Sequence, residues 1–333
     1  MTEIVVQHAE VPTSLVAPGS VVVGVRERAQ GNERALWEAA LWAARHARAV
    51  TLLAAVGSPH RDQLETARSA RRQRALYAVN GAALRLSRST GTSQSIHTAV
   101  VDLAAAEALV AASPKAEVIV VERRPRRAGT RSRVDGITSE VTCRAQCPVL
   151  VVHADDQIVM RRGVLAVLDG RDPDVSALVP AFEEARVRNV PLSVVECTAG
   201  PRGVVPRSAG SGLVRERAEA TVAGALARCR REIPGVRLAG SVTRVDSFAV
   251  LMGLARDGEL AVVSRARRGE QLGPLASHLV AEAACPVLVL QPGRPAQSLV
   301  SDVAPGDAGP CYPVRGLPSQ LPPLEVSTPV FTP

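Results

Sequence analysis

The chain has 333 residues, 46% apolar and 22% charged, which suits about two ordinary globular domains and excludes a disordered, collagen-like or coiled-coil protein. Basic residues exceed acidic ones by 40 to 32, a net charge of +8, yet Lys115 is the only lysine and aromatic residues are limited to three Phe, two Trp and two Tyr. A lone lysine outside a GxxxxGK[ST] context excludes a P-loop, and so few aromatics leave no material for base-stacking platforms; nucleic acid is not an expected partner.

Residues 1–19 carry no strong pattern and read as an N-terminal arm; the start, MTEIVVQHAEVP, lacks the basic-then-apolar order of a signal peptide. The continuous apolar run Val21–Val25 predicts a strand buried on both faces, followed by a helix over Glu33–Arg48 with Trp37, Leu41 and Ala44 recurring at helical spacing. Val50–Val56 reads as a second strand, Arg61–Arg88 as a long polar and Ala-rich helix, and Ser95–Val101 as a third strand. A helix over Asp102–Ala112 takes Asp102 as its N-cap. Val118–Val121 and Pro148–Val152 give strands four and five around a short helix at Gly136–Ala145.

The same order then returns. Leu165–Leu168 precedes a helix with Val175, Leu178, Val179, Phe182 and Ala185 on one face, and Pro180 inside that helix predicts a kink or a later start. Leu192–Val195, a helix at Leu213–Arg231, a strand at Val236–Thr243, a helix from Asp246 or Ser247, Leu260–Val263, a helix from Pro274 and Val287–Leu290 complete it. CPVLVV at Cys147–Val152 recurs as CPVLVL at Cys285–Leu290, EVIVV at Glu117–Val121 as ELAVV at Glu259–Val263, and VVVGV at Val21–Val25 as VLAVL at Val164–Leu168, at offsets of 138, 142 and 143 residues. Three runs recurring in order mean two tandem copies of one fold. Strands alternating with helices imply a parallel sheet with right-handed crossovers, whose ligands bind beyond the carboxyl ends of the strands.

The carrying segments, VVVGV, AEVIVV and TSEVTCRAQCPVLVV in copy one with VLAVLDG, ELAVVSR and ASHLVAEAACPVLVL in copy two, resemble the universal stress protein family in its tandem form. The resemblance implies two α/β Rossmann-like (adenine-nucleotide alpha-hydrolase-like) domains, each a five-stranded parallel sheet of order 3-2-1-4-5. The division is a 1–19 arm, domain one at 20–153, a 154–161 linker, domain two at 162–291 and a Pro-rich tail at 292–333 that holds 10 of the 24 prolines and is expected to be disordered.

The resemblance also implies an ATP site in some members: an Asp ending strand one, then G-x-x-G, nine residues and G-[S/T] after strand four. Copy one departs from this, with Arg26 in place of the Asp and Glu122, Pro125 and Asp135 in place of the three glycines. Its run Arg123, Arg124, Arg126, Arg127, Arg131 and Arg133 reads as a solvated loop, and copy one as an empty, structural copy. Copy two keeps Asp169 and Gly170 at the strand-one end, with Ser264 at the strand-four end and Gly273 as the last loop glycine, but Pro274 replaces the Ser/Thr and the loop is four residues shorter. Asp169, Gly170, Ser264 and Gly273 are therefore the candidate nucleotide-binding residues, for at most weak ATP binding in domain two; no metal is expected.

The histidines His8, His46, His60, His97, His153 and His278 are scattered, so no catalytic constellation emerges and a non-enzymatic stress-response role is expected. A nucleotide-independent scaffold acting through its surface and tail, and a weak ATPase, are the alternatives. The last strands, CPVLVV and CPVLVL, are expected to meet in an intramolecular pseudo-dimer, because each would otherwise be an exposed apolar edge. Homo-oligomerisation is left open, and the chain is expected to be cytoplasmic, with no membrane partner. The six cysteines form no CxxC pair and read as reduced, mostly buried residues.

Overall fold

In the computed structural model, residues 5–8, 16–26, 32–57, 65–90, 94–123, 136–153, 163–170, 174–199, 212–265 and 272–291 are described. Most of the Arg-rich loop, the 154–161 linker and the 292–333 tail lie outside these residues. In the first half the elements are β1 (Val5–His8), β2 (Val21–Val25), α1 (Glu33–His46), β3 (Val50–Ala55), α2 (Glu65–Thr90), β4 (Ile96–Val101), α3 (Ala105–Ala112), β5 (Val118–Arg123), α4 (Gly136–Arg144) and β6 (Val149–His153). The second half runs β7 (Val164–Asp169), α5 (Leu178–Arg188), β8 (Leu192–Cys197), α6 (Gly212–Glu232), β9 (Thr243–Val245), α7 (Phe248–Arg256), β10 (Leu260–Ser264), α8 (Pro274–Glu282) and β11 (Val287–Leu290).

All eleven strands form one sheet of order β1-β4-β3-β2-β5-β6-β11-β10-β7-β8-β9. Numbered within its own repeat, each half has the order 3-2-1-4-5, as the family resemblance implies. Every pairing is parallel except one: β6 and β11 run antiparallel, with Val149 opposite Val289, Leu150 opposite Leu288 and Val151 opposite Val287. A two-fold relation between halves reverses the direction of the strand that meets its own counterpart, so a parallel sheet acquires a single antiparallel seam there. The near-continuous apolar strands follow from helices covering both faces, and β2, β5, β6 and β11 are buried along almost their whole length.

Several sequence expectations change in three dimensions. The arm carries a strand: β1 adds parallel to β4, with Val5 opposite His97 and His8 opposite Val100, so the first half has six strands. Helix α1 buries Ala35, Leu36, Ala39, Ala40, Trp42 and Ala43, whereas Trp37 and Leu41 are half-buried and Ala44 is exposed. The apolar stripe is thus rotated from the one the large residues suggested, because alanines make up most of the sheet-facing surface. Asp102 does not cap α3, whose N-cap is Ala104; its carboxylate instead takes Arg68 at 2.9 Å and Arg72 at 3.5 Å from α2. The third strand of the second half is Thr243–Val245, and Leu238 makes only an isolated bridge to Leu192. Gly235, just before the predicted run, and Gly240, within it, have φ of 88° and 157° and turn the backbone there.

Pro180 behaves as predicted. A 3-10 turn at Val175–Ala177 precedes α5, so Pro180 falls in the first turn of the α-helix, where its missing N–H would have had no helical partner. Leu178, Phe182 and Ala185 are buried as expected, but so are Glu183 and Glu184. The five described cysteines are thiols outside any disulfide, and all but Cys143 are buried.

The two buried glutamates lead to the seam between halves. Glu184 is fully buried, with Arg188 Nε at 2.8 Å from one oxygen and His46 Nε2 of the first half at 2.9 Å from the other. Arg188 also reaches Glu259 at 2.9 Å, and Arg45 of α1 joins the same carboxylate at 3.1 Å. Burial pushes the Glu184 carboxyl upward, but Arg188 and His46 outweigh it and hold it at about 2. Trp42 stacks on His46 and donates from Nε1 to Glu117, which also pairs with Arg48; burial nonetheless pushes Glu117 above the usual carboxylate range.

Candidate functional site

In each half the switch point lies where strand one and strand four end side by side, and the first helix begins over that edge. In the first half a cavity of about 350 Å³ opens there. Its floor is Gly24 and Val25 of β2 and Val121 and Glu122 of β5; its walls are Ala105, Ala108 and Leu109 of α3 with Leu53 and Ala55 of β3. Thr138 and the half-exposed Ile137 stand at its α4 side, and Arg26 and Asn32 at its α1 side. At Gly24 a Cβ would lie 3.2 Å from Leu109 Cδ1, a tight contact that a small shift of the Leu109 side chain would relieve.

The polar groups of this cavity are already partly committed. Glu122, only 8% exposed, turns its carboxylate to the N-terminus of α1 and accepts from Ala35 N at 3.2 Å. An anion at a helix N-terminus is favourable, so the chain's own carboxylate fills the place that a bound phosphate would otherwise take. Burial still pushes the Glu122 carboxyl up, against the opposing pull of the α1 amides and Arg26. Arg26 donates to the Glu122 carbonyl at 2.8 Å. Asn32 is the N-cap of α1 but caps no amide; its Nδ2 donates to Gly24 O, and its buried Oδ1 has no hydrogen-bond partner. The sequence reading singled out Glu122 and Arg26 as departures from a phosphate site but passed over Asn32, whose only signal was its place before the helix.

In the second half, Asp169 ends β7 and Ser264 ends the adjacent β10, so the strand pairing brings these two candidates to one edge. Ser264 Oγ shares a 2.8 Å hydrogen bond with Ser176 Oγ in the 3-10 turn, and Asp174 Oδ1 accepts from Ser176 N at 3.0 Å. Gly170 donates its N–H to Cys197 O, and a Cβ at this position would lie 2.7 Å from Thr198 Cγ2 and 2.9 Å from Glu196 Cγ. Its glycine is thus explained by close packing on β8. Gly273 is the N-cap of α8, with ordinary negative φ and Pro274 opening the helix. Pro274 has no N–H, so the first turn of α8 has one amide fewer to offer an anion.

Among the described residues no group of His, Cys, Asp and Glu could hold a metal ion, and no helix is long and apolar enough to cross a membrane.

Two doubly wound domains, each with its switch point built from the ends of strands one and four, define a tandem α/β protein with Rossmann-like sheets. Residues 19–153 match the family model described as the universal stress protein family. A universal stress protein of Mycolicibacterium smegmatis is 27% identical over 285 residues, 82% of this chain and 97% of that protein. One from Mycobacterium tuberculosis is 28% identical over 208 residues, 60% of this chain and 67% of that protein. Among solved structures, a universal stress protein of Archaeoglobus fulgidus superposes with a TM-score of 0.56 at 11% identity, covering 82% of this chain and 97% of its own. A Pseudomonas aeruginosa protein of unknown function does so with a TM-score of 0.55 at 19% identity, covering 84% and 95%. Residues 19–153 thus match a universal stress protein domain, and the chain as a whole is similar over most of its length to universal stress proteins.

Proposed function

We propose that this chain is a non-enzymatic stress-response protein whose affinity for adenine nucleotides is weak and confined to the second half. The observation that carries the reading is the difference at one register position. Glu122, next to last in strand four of the first half, and Ser264, last in that of the second, hold equivalent places 142 residues apart. In the first half a carboxylate sits against the first helix and repels phosphate, whereas in the second half a neutral hydroxyl occupies the same place.

Asp169, Ser264 and Gly273 supply a strand-end carboxylate, a hydroxyl and a helix N-terminus, but the loop is shortened and Pro274 withholds an amide. Losing two or three charge-assisted hydrogen bonds of about 1.5–3 kcal/mol each fits a dissociation constant on the order of 100 μM or above.

Equilibrium binding of labelled ATP to the full chain tests this. Ser264→Glu, which copies the first half's carboxylate into the second, should abolish binding, and Glu122→Gln should not reduce it. Nanomolar binding that survives Ser264→Glu, or steady phosphate release from ATP, would overturn the reading.

A further inference from the structure

The two repeats hold α3 and α7 in register: Ala108 and Ala112 of α3 are buried, as are Leu251 and Ala255 at the same places of α7. On the outer face the two helices differ. The third and seventh residues of α3 are Glu107, an exposed charge, and Ala111; those of α7 are Val250 and Leu254, 52% and 39% exposed. Single exposed apolar residues are ordinary on a protein surface. Here two stand on successive turns, four residues apart, with Ala249 and Gly253 exposed beside them, so α7 carries a continuous apolar stripe where α3 carries a charge. Exposed carboxylates close the stripe at both ends, Asp246 ahead of the N-cap and Asp257 at the C-cap. The exposed Arg256, six residues beyond Val250, falls on another side of the helix.

We propose that the outer face of α7 is a docking surface for the chain's own Pro-rich segment 312–324, whose leucines cover Val250 and Leu254. That segment, YPVRGLPSQLPPL, has the complementary chemistry. Its apolar residues alternate with four prolines, which favour an extended backbone with little entropy left to lose, and Arg315, its only charge, answers the acidic ends of the stripe. The path is short. The described chain ends at Gln291, just past β11; α8 packs on β11, and α7 lies beside α8, with Phe248 stacked on His278 at 4.3 Å. α7 packs on β8, three strand spacings or about 15 Å from β11. The 20 residues between Gln291 and Tyr312 span about 25 Å as a flexible coil. Such a tether gives an effective concentration in the millimolar range, so a contact too weak to hold a separate peptide is filled within the chain. A second copy fits less well, because antiparallel pairing of two α7 helices sets Asp246 of each against Asp257 of the other. The surface is the face of α7 turned away from the sheet and does not rest on the nucleotide reading above.

Trypsin reads this docking directly. Beyond Gln291 the chain has no lysine and two arginines, and Arg294 precedes a proline, which trypsin does not cleave; release of residues 316–333 therefore reports the Arg315 bond alone. Measured by mass spectrometry on the full chain, that release should be about tenfold slower than cleavage of a synthetic peptide of residues 308–324. Val250→Glu with Leu254→Ala writes the first half's residues into the second, so the helix keeps a surface that the fold already accepts, and release should rise to the rate of the peptide. Leu321→Ser with Leu324→Ser, made in the segment itself and away from the cleaved bond, should do the same without touching either domain. Release from the unaltered chain as fast as from the peptide, or protection that survives either pair of substitutions, would overturn the proposal. Protection that grows with protein concentration would overturn it in favour of a second copy as the occupant.

Discussion

Glu122 and Ser264 hold equivalent places near the end of strand four in the two repeats, and the two halves diverge from that position outward. In the first half the carboxylate caps α1, Asn32 turns inward to Gly24 O, and a cavity stays open beside α3. In the second half a pair of serine hydroxyls closes onto itself, and Asp174 takes the capping duty that Asn32 has left. A second divergence lies at the seam. Trp42 and Glu184 occupy equivalent places on α1 and α5, as do His46 and Arg188, so one half contributes a stacked aromatic pair and the other an ion pair. The same backbone can carry unlike chemistry because the sheet is held by apolar strands whose sequence barely differs, which leaves the strand ends and helix faces free to change.

The largest expected effect falls on the seam. Glu184→Ala removes a carboxylate that is fully buried against Arg188 and His46, and the stranded guanidinium should make it cost about 3–5 kcal/mol in urea denaturation. A loss below about 1 kcal/mol would show that the ionic half of the seam is dispensable. The Glu184 carboxyl sits at about 2 in the folded chain, below its ordinary value of 4.5. Its contribution is therefore complete above that ordinary value and is lost as pH falls towards 2. Glu117 and Glu122 have the opposite sign, since both are raised and bind protons more readily when folded. The acid limb of the stability curve should flatten in Glu184→Gln and persist in Glu122→Gln.

The strand-one glycines sharpen the comparison next. Gly170→Ala places a methyl 2.7 Å from Thr198 Cγ2 and should cost about 1–3 kcal/mol. Gly24→Ala meets only the tip of Leu109 at 3.2 Å and should cost less, while narrowing the cavity. The reverse order in thermal melts would mean that the second-half edge is the more pliable one. Asp174→Ala, which removes the cap on Ser176 N, should cost about 1 kcal/mol. Glu140→Ala, breaking an exposed pair with Arg144 on α4, should change stability by no more than about 0.5 kcal/mol.

The alternation of strands and helices within each half, and most helix boundaries, were legible because each element has its own period and its own stop, whereas the strand order was implied only by the family resemblance. Asn189 and Ala47 end α5 and α1 in the left-handed conformation, at equivalent places in the two repeats. What misled were signals that several structures satisfy. Asp102 before a helical run fits a cap, yet two arginines on α2 compete for it and hold it more strongly. Trp37 and Leu41 have the spacing of a buried face, yet the sheet accepts the alanine face, which approaches more closely. Of the candidate site residues, Asp169 and Ser264 do share an edge, while Gly170 is accounted for by packing and Gly273 by its place ahead of Pro274.

By itself the sequence determined the duplicated α/β pattern, the five repeated strands of each half, the later start of α5 signalled by Pro180 and the residue changes in the first half, since all of these rest on local periodicity and residue type. The tertiary structure alone decided that Val5–His8 would extend the sheet, that Asn32 and Glu122, 90 residues apart, would line one cavity, and that His46 would meet Glu184 across the seam. Those contacts join charged or amide groups whose partners lie far along the chain. No local pattern encodes such pairs, because a polar side chain's partner is set by where the backbone brings it, whereas an apolar side chain needs only to be covered.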